Sequence, residues 1–272
     1  MAITWEEASR RLDAAYSIMN KTGAVTIDGP VSIGIDLGTA DVVLMVLDQH
    51  GQPKACFLEW AEVVRDGVVV DFIGAVDIVR NLLEKAQKRT GRVFTAAATS
   101  FPPGTDARLS TNILETAGLD ILAVADEPTF VARLFELDKA LVVDVGGGTT
   151  GTAVVQDGAV VFSGDEPTGG HHITLSIAGH YNIPYHEAEE RKRQQEKYGI
   201  LNLARPTLQR ICDIVAKHMK KHDVDKVVLS GGTCCLNGID DVFEAELGLP
   251  VMLPSQPLLL TPLSIAALCP AT

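Results

Sequence analysis

The chain has 272 residues, 46% hydrophobic and 21% charged, enough apolar content to bury a core and, at about 150 residues per domain, the length of about two domains. That composition excludes a disordered chain, collagen-like repeats and a disulfide-stapled miniprotein. Lys and Arg number 23 against 35 Asp and Glu, a net charge of −12; such a surface repels phosphate backbones and anionic lipid, so nucleic acid is not expected as the main partner.

The first stretch reads as a helix. Thr4 followed by Glu7 fits a capping box, and Trp5, Ala8, Leu12, Ala15, Tyr16 and Met19 recur at helical spacing before Gly23, which supplies a stop. Charges run through it and it lacks the apolar centre of a signal peptide. Two roles stay open for its apolar face: packing on its own domain, or docking on a partner. From Val31, VSIGIDL, ADVVLMVLD and PKACFLEW are apolar runs separated by Gly-containing turns, the pattern of a three-stranded antiparallel meander. VVVDF then leads to a helix over Ala75–Thr90, with Asp77 near its start, basic residues near its end and Gly91 as stop. A strand (TAAATS), a helix (Asp106–Thr116) and a strand (ILAVAD) complete a βββαβαβ half.

The pattern then recurs. ALVVDVGGGTTGTAVVQDGAVVFSG is again strand, Gly/Thr turn, strand, turn, strand. Helices are expected over Thr174–Tyr181, Pro184–Tyr198 and Pro206–His222, the last two with Pro in the first turn. KVVLSGG reads as a last buried strand opening into a helix over Gly238–Glu246. Two copies of one α/β unit imply a cleft between them, a common place for a ligand. No run of 18 apolar residues is present, so no membrane span is expected.

The chemistry concentrates in the turns. IDLGTAD (Ile35–Asp41) and VDVGGGTTG (Val143–Gly151) each set an acid, Asp36 or Asp144, beside glycines and threonines. Glycine lets backbone approach an anion, and successive N–H groups make a nest for phosphate oxygens. Thr39, Thr149 and Thr150 add hydroxyls. Two carboxylates beside phosphate require a cation, and Mg²⁺, which keeps its waters and needs only one or two carboxylates, suits the role. Either turn alone reads equally as an ordinary hairpin; the pairing is what carries weight. LSGGT (Leu229–Thr233), between a strand and a helix, is a place where a nucleoside can lie against backbone, or a plain turn.

Other groups have blander readings. Cys56, Cys212, Cys234, Cys235 and Cys269 are odd in number and form no C-x-x-C pair, so buried thiols in a reducing compartment are expected, Cys234 and Cys235 included. His171, His172, His180 and His186 lack the spacing of a helical metal site. HEAEERKRQQEK is mixed in sign and reads as an exposed helix face.

Five segments, in order from Ile33 to Cys269, resemble the actin/Hsp70/sugar-kinase ATPases: IDLGTAD the first phosphate motif, DEPTFVARLFELD the connecting segment, DVGGGTTG the second phosphate motif, VVLSGGT the adenosine motif and PLSIAALCP the second connecting helix. The resemblance implies duplicated ribonuclease-H-like α/β domains flanking a nucleotide cleft, domain I over 31–137 plus 262–272, domain II over 138–261, and an N-terminal helix (1–30) outside both. It implies ATP/ADP and Mg²⁺ as ligands: Asp36 and Asp144 hold the metal through water; Gly38, Thr39, Gly146, Gly147, Gly148, Thr149 and Thr150 cradle phosphates; Gly231 and Gly232 face the nucleoside. Glu127 orients the attacking water, and Glu189 and Lys192 reach the ribose and adenine, unless that pair is a plain helical ion pair. Departures accompany it. Thr150-Gly151 stands where Hsp70 proteins have Phe-Asp, Gly169-Gly170-His171-His172 replaces a Gly-Gly-acidic box, and no clear counterpart of the catalytic lysine lies near Val63–Asp71. A slow ATPase is therefore implied.

The length and the added helix bring the chain nearest to the Hsp70-like proteins of ethanolamine-utilization operons. This implies a cytoplasmic protein with a chaperone or assembly role toward a client or bacterial microcompartment component. A small-molecule kinase and a filament-forming or purely binding protein remain rival classes.

Overall fold

The computed structural model describes residues 2–61, 63–65 and 68–272. Helix α1 (Trp5–Ile18) precedes an antiparallel meander of β1 (Val31–Leu37), β2 (Asp41–Asp48) and β3 (Pro53–Trp60), followed by a short ribbon of β4 (Val64–Arg65) and β5 (Val68–Val69). Then α2 (Phe72–Thr90), β6 (Ala96–Phe101), α3 (Arg108–Thr116) and β7 (Asp120–Asp126) complete the first lobe, β6 pairing parallel with both β1 and β7. Helix α4 (Glu127–Leu134) leads to β8 (Ala140–Val145), β9 (Thr150–Gln156) and β10 (Ala159–Glu166). Four helices follow, α5 (Gly170–Tyr181), α6 (Tyr185–Arg193), α7 (Gln195–Tyr198) and α8 (Ile200–Met219). β11 (Lys226–Ser230), α9 (Ile239–Leu247), β12 (Val251–Met252) and α10 (Leu260–Leu268) end the fold. The strand orders β3-β2-β1-β6-β7 and β10-β9-β8-β11-β12 are one arrangement used twice, the duplicated α/β architecture expected from the sequence.

Strand alternation explains how the layers stack. Ile33, Ile35 and Leu37 of β1 face a core completed by α2 and α3, and Leu141, Val143 and Val145 of β8 face one completed by α5, α8 and α9. The opposite faces of the two sheets share a third core, in which Val43 and Met45 meet Val142 and Val155 through Val131 and Leu134 of α4 and Leu260, Leu263 and Ala266 of α10. Helix α10 lies so close on β1 that a Cβ at Gly34 would sit 2.4 Å from the Ala266 nitrogen. Because Asp36 and Asp144 alternate with core-facing residues, both project from these inner faces toward the space between the lobes.

Several element ends differ from the sequence expectation. Helix α1 stops at Ile18, not at Gly23, because Met19 turns extended and bridges to Cys56 of β3. Thr4 Oγ1 caps the Glu7 N–H at 3.2 Å, but the Glu7 carboxylate turns to Arg10 and Arg11, so only half of the capping box forms. Helix α2 starts at Phe72, capped by Asp71, three residues before the expected start. The expected helix over 184–198 breaks at Gln194, and α8 starts six residues before Pro206. A proline inside a helix costs about 3 kcal/mol, here offset by the buried face of Ala204, Leu208, Ile211 and Val215. Between β11 and α9 the chain makes a 3₁₀ turn over Gly232–Cys235, and Cys235 is exposed, unlike the other four thiols.

Helix α1 packs within the molecule. Ala8, Leu12 and Ala15 are buried, Trp5 lies 5.1 Å from the Phe135 ring, and the Ile3 N–H donates to the Leu134 carbonyl. Asn20 pairs with both backbone groups of Leu58, and Ser255 donates to Asp13, so the segment touches both lobes and the connection between them. Arg89 donates to the Lys21, Gly23 and Lys54 carbonyls and secures the linker that follows. Leu12→Ala should therefore cost about 2–5 kcal/mol by chemical denaturation, the range for truncating a fully buried leucine. Removing residues 1–22 should lower the melting temperature further still; an unchanged value would mean that the face is free for a partner.

Candidate functional site

The two central strands end alike. Asp36 is the penultimate residue of β1 and Asp144 of β8, and each accepts a hydrogen bond from a serine on the neighbouring parallel strand. Ser100 Oγ donates to Asp36 Oδ1 at 2.8 Å and Ser230 Oγ to Asp144 Oδ2 at 2.7 Å. Thr261 of α10 adds a second donor to Asp144 at 2.5 Å. Both carboxylates line a cavity of about 290 Å³ between the lobes, together with Gly38, Thr39, Asp41, Glu127, Gly146, Gly147 and Thr149.

The glycines have separate jobs. The first and second turns touch: a Cβ at Gly147 would lie 2.9 Å from Ala40 Cβ. Gly170 and His171 N–H groups donate to the Gly146 and Gly147 carbonyls, and Thr233 Oγ1 donates to Gly146, pinning the second turn from two sides. Gly231 has φ +93°, and a Cβ there would meet Asp144 Oδ1 and the Val145 carbonyl at 2.5 Å, so it backs the carboxylate as well as lining the cavity beside Gly232. Gly148 and Thr150 are buried and are not among the cavity-lining residues; the Thr150 hydroxyl donates to the Thr168 carbonyl at 2.6 Å.

At the other end of the cavity, Lys192 Nζ sits 2.7 Å from Glu189 Oε2 and also donates to the Gly170 carbonyl and Thr174 Oγ1. The pair therefore ties α6 to α5, and both residues line the cavity. His171 lies 3.0 Å from the Tyr185 hydroxyl, and its ring stands edge-on to His172.

The electrostatics are lopsided. Burial first, then the Asp144 charge, pushes the Asp36 carboxyl up to about 7. Asp41 is raised to about 7 by burial and Asp144, against the opposing pull of Arg193. Burial also raises Asp165 to about 7, with the Thr149 hydrogen bond working the other way. Glu127 is held well above the usual carboxylate range by burial and by Asp144, Asp36 and Asp165. Asp144 is itself raised by burial in spite of its Thr261 and Ser230 donors. Lys192 and Arg193, the lysine and arginine on the cavity wall, both come from the second lobe. The 63–71 stretch contains no lysine, and within it Asp66 and Gly67 lie outside the described residues.

A divalent cation fits this donor set. Among the described residues Asp165 Oδ1 is the one buried side-chain oxygen or nitrogen without a hydrogen-bond partner, and the other oxygens are hard carboxylate donors. No three His, Cys, Asp or Glu side chains among the described residues form a ready-made metal site. Asp36 and Asp144 would supply the one or two carboxylates that a hydrated Mg²⁺ needs.

Comparison with known proteins adds family and fold. The chain is 49% identical over 258 residues to the ethanolamine utilization protein EutJ of Escherichia coli K12, covering 94% of this chain and 92% of that one. It belongs to the EutJ family. The crystal structure of EutJ from Carboxydothermus hydrogenoformans matches at TM-score 0.89 and 40% identity, covering 96% and 98% of the two chains. MreB5 of Spiroplasma citri bound to AMPPNP matches at TM-score 0.71 and 18% identity, covering 87% of this chain and 95% of that one, a likeness of fold. A family profile described as type IV pilus assembly protein PilM matches residues 134–260. The actin/Hsp70-like fold expected from the motifs is thereby established. No helix among the described residues is long and apolar enough to cross a membrane.

Sequence reading missed Asp41, Asp165, Ser100, Ser230 and Thr261. One signal was available: a serine ends both TAAATS and VVLS, the strands that flank the two aspartate-bearing ones. Asp165 carried no signal, because only the pairing of β10 with β9 sets it opposite Gly151.

The raised carboxyls set a pH dependence. In the unfolded chain they ionise near 4; in the folded protein Asp36, Asp41 and Asp165 ionise near 7. Between these values the folded state holds more protons, so stability falls as pH rises. His218, pushed down by burial, acts in the opposite sense, one group against five raised carboxyls. Without divalent metal or nucleotide, the melting temperature should drop from pH 5 to pH 7.5, and Asp165→Asn should flatten the slope. A melting temperature that rises over that range would contradict the charge assignment.

Proposed function

We propose that the protein binds ATP with Mg²⁺ in the inter-lobe cleft, hydrolyses it slowly, and uses lobe closure to act on a protein client in ethanolamine utilization, in association with a microcompartment. The observation that carries this reading is the repeated strand end: Asp36 and Asp144, each gripped by a serine, face one cavity across two glycine turns.

In this reading Asp36 and Asp144 would hold the hydrated cation, and the backbone of Gly146 and Gly147 with Gly38, Thr39 and Thr149 would bind the β- and γ-phosphates; Gly148, buried away from the cavity, supports the turn. Gly231 and Gly232 lie along the nucleoside, with Glu189 and Lys192 beside the ribose. Thr150, whose hydroxyl is engaged by Thr168, supports the turn and does not touch phosphate. When bound, the cation neutralises phosphate charge. Glu127, at the N-terminus of α4, orients water. Burial and the neighbouring acids raise its proton affinity, which makes it a stronger base. Turnover is slow because Lys192 serves the nucleoside side and leaves the γ-phosphoryl with few positive partners. ATP shifts the open–closed equilibrium only by its differential affinity for the two states. The family membership and the resemblance to Hsp70 support the client role.

ATP with Mg²⁺ at a hundred times its Kd should stabilise the fold by about 2.7 kcal/mol, and Asp144→Ala should lose most of that gain. Equal thermal shifts in wild type and variant would remove the carboxylate assignment. Glu127→Gln should retain nucleotide affinity while turnover falls by about a hundredfold or more, measured by phosphate release. Unchanged turnover would leave Glu127 as a connector residue. For the client, ATP-dependent co-purification of a microcompartment or pathway protein is the expected result.

A further inference from the structure

Arg193 ends α6 of the second lobe, and its guanidinium lies 4.0 Å from the centre of the Trp60 ring, at the end of β3 in the first lobe. Both residues line the cavity and both are exposed at its rim, Trp60 at 51%. The stack therefore spans the mouth of the cleft.

Each partner is wired to the glycine turn of its own lobe. Trp60 stands directly opposite Asp41 across the β2–β3 pair, and the next residue, Ala61, donates its N–H to Ala40 at 3.0 Å. Ala40 is the first-turn residue that abuts Gly147. On the other side, Arg193 donates to Glu189 Oε1 at 3.4 Å, and its neighbour Lys192 donates to the Gly170 carbonyl. Gly170 in turn donates to the Gly146 carbonyl at 3.0 Å. Each turn is thus joined to the stack by a few short links. The cavity beneath, about 290 Å³, lies at the low end of the roughly 300–1,000 Å³ usual for ligand sites. In the nucleotide reading above, a ligand entering the cavity passes this stack. A guanidinium over an exposed aromatic ring is an attraction weak enough to break and reform thermally, which suits a contact that must open repeatedly.

We infer that Trp60 and Arg193 form an inter-lobe latch across the cleft mouth, which holds the lobes closed and sets the rate at which ligand is admitted and released. The identity of that ligand rests on the nucleotide reading above; the latch itself can be tested without ligand.

The test uses spin labels on Ile73→Cys in the first lobe and Glu190→Cys in the second, both exposed positions, with Cys235→Ser to remove the exposed native thiol. In ligand-free protein, Arg193→Met or Trp60→Leu should raise the population of longer inter-label distances about two- to fivefold, as expected for losing a rim-exposed cation–π contact. Combining them should add nothing further, because each breaks the same contact. Association and dissociation rates of a fluorescent ADP analogue should rise together, with Kd changed less than either rate. Unchanged distances, or effects of the two substitutions that simply add, would overturn the latch. Failure of the analogue to bind wild type and variants alike would overturn the nucleotide reading and leave the latch to be judged by the distances.

Discussion

Burial raises the proton affinity of Asp36, Asp41, Glu127, Asp144 and Asp165 by stripping away the water that would stabilise their charge, and the charge of Asp144 raises that of the other four. Carboxyl groups so placed repel one another, and a fold that merely juxtaposed them would relax by letting the lobes drift apart. Three hydroxyls oppose that, Ser100 on Asp36 and Ser230 with Thr261 on Asp144. The remaining imbalance is a demand for positive charge, which the proposed hydrated cation would meet.

Holding those acids in place falls to the layer between the sheets. Helices α4 and α10 cross between the two lobes and bury Val131, Leu134, Leu260, Leu263 and Ala266 against the inner faces of both sheets. Glu127 begins α4 and Thr261 lies in the first turn of α10, so the same helices that form the inter-lobe core also deliver two groups to the cleft. The absence of a side chain at Gly34 is what lets α10 lie on β1 next to Asp36, and the absence of one at Gly231 is what lets backbone pass behind Asp144. Helix α1, linked to Leu134, Phe135, Leu58 and Ser255, braces this junction from outside. A contact at the rim, Arg193 on Trp60, completes the enclosure on the open side. The packing that stabilises the molecule and the geometry of its cleft are therefore one set of contacts.

Much of this was legible in the residues. Alternation in VSIGIDL and ALVVDV follows from the two-residue period of a strand, and the glycine-bearing turns follow from local backbone freedom. Both are short-range properties, so the duplicated meander, the aspartate-bearing strand ends and the glycine turns could be read without coordinates. The helix ends were less legible: Met19 leaves α1 to pair with Cys56, and Pro206 is carried inside α8 by a buried face, both long-range contacts that outweigh local preference.

By itself the sequence determined the fold class, the repeat, the two aspartates, the glycine turns and the family resemblance, because each depends on residues within a strand, a turn or a motif. Only the tertiary structure decided that α1 packs inside the molecule, that Cys235 is exposed, and that Thr150 is spent on Thr168. It alone brought Ser100, Ser230 and Thr261 onto the aspartates, Asp165 toward them, and Arg193 onto Trp60. These contacts join residues from 18 to more than a hundred positions apart. Nothing in the local preferences of either partner specifies the other; the stacking of two sheets around α4 and α10 does.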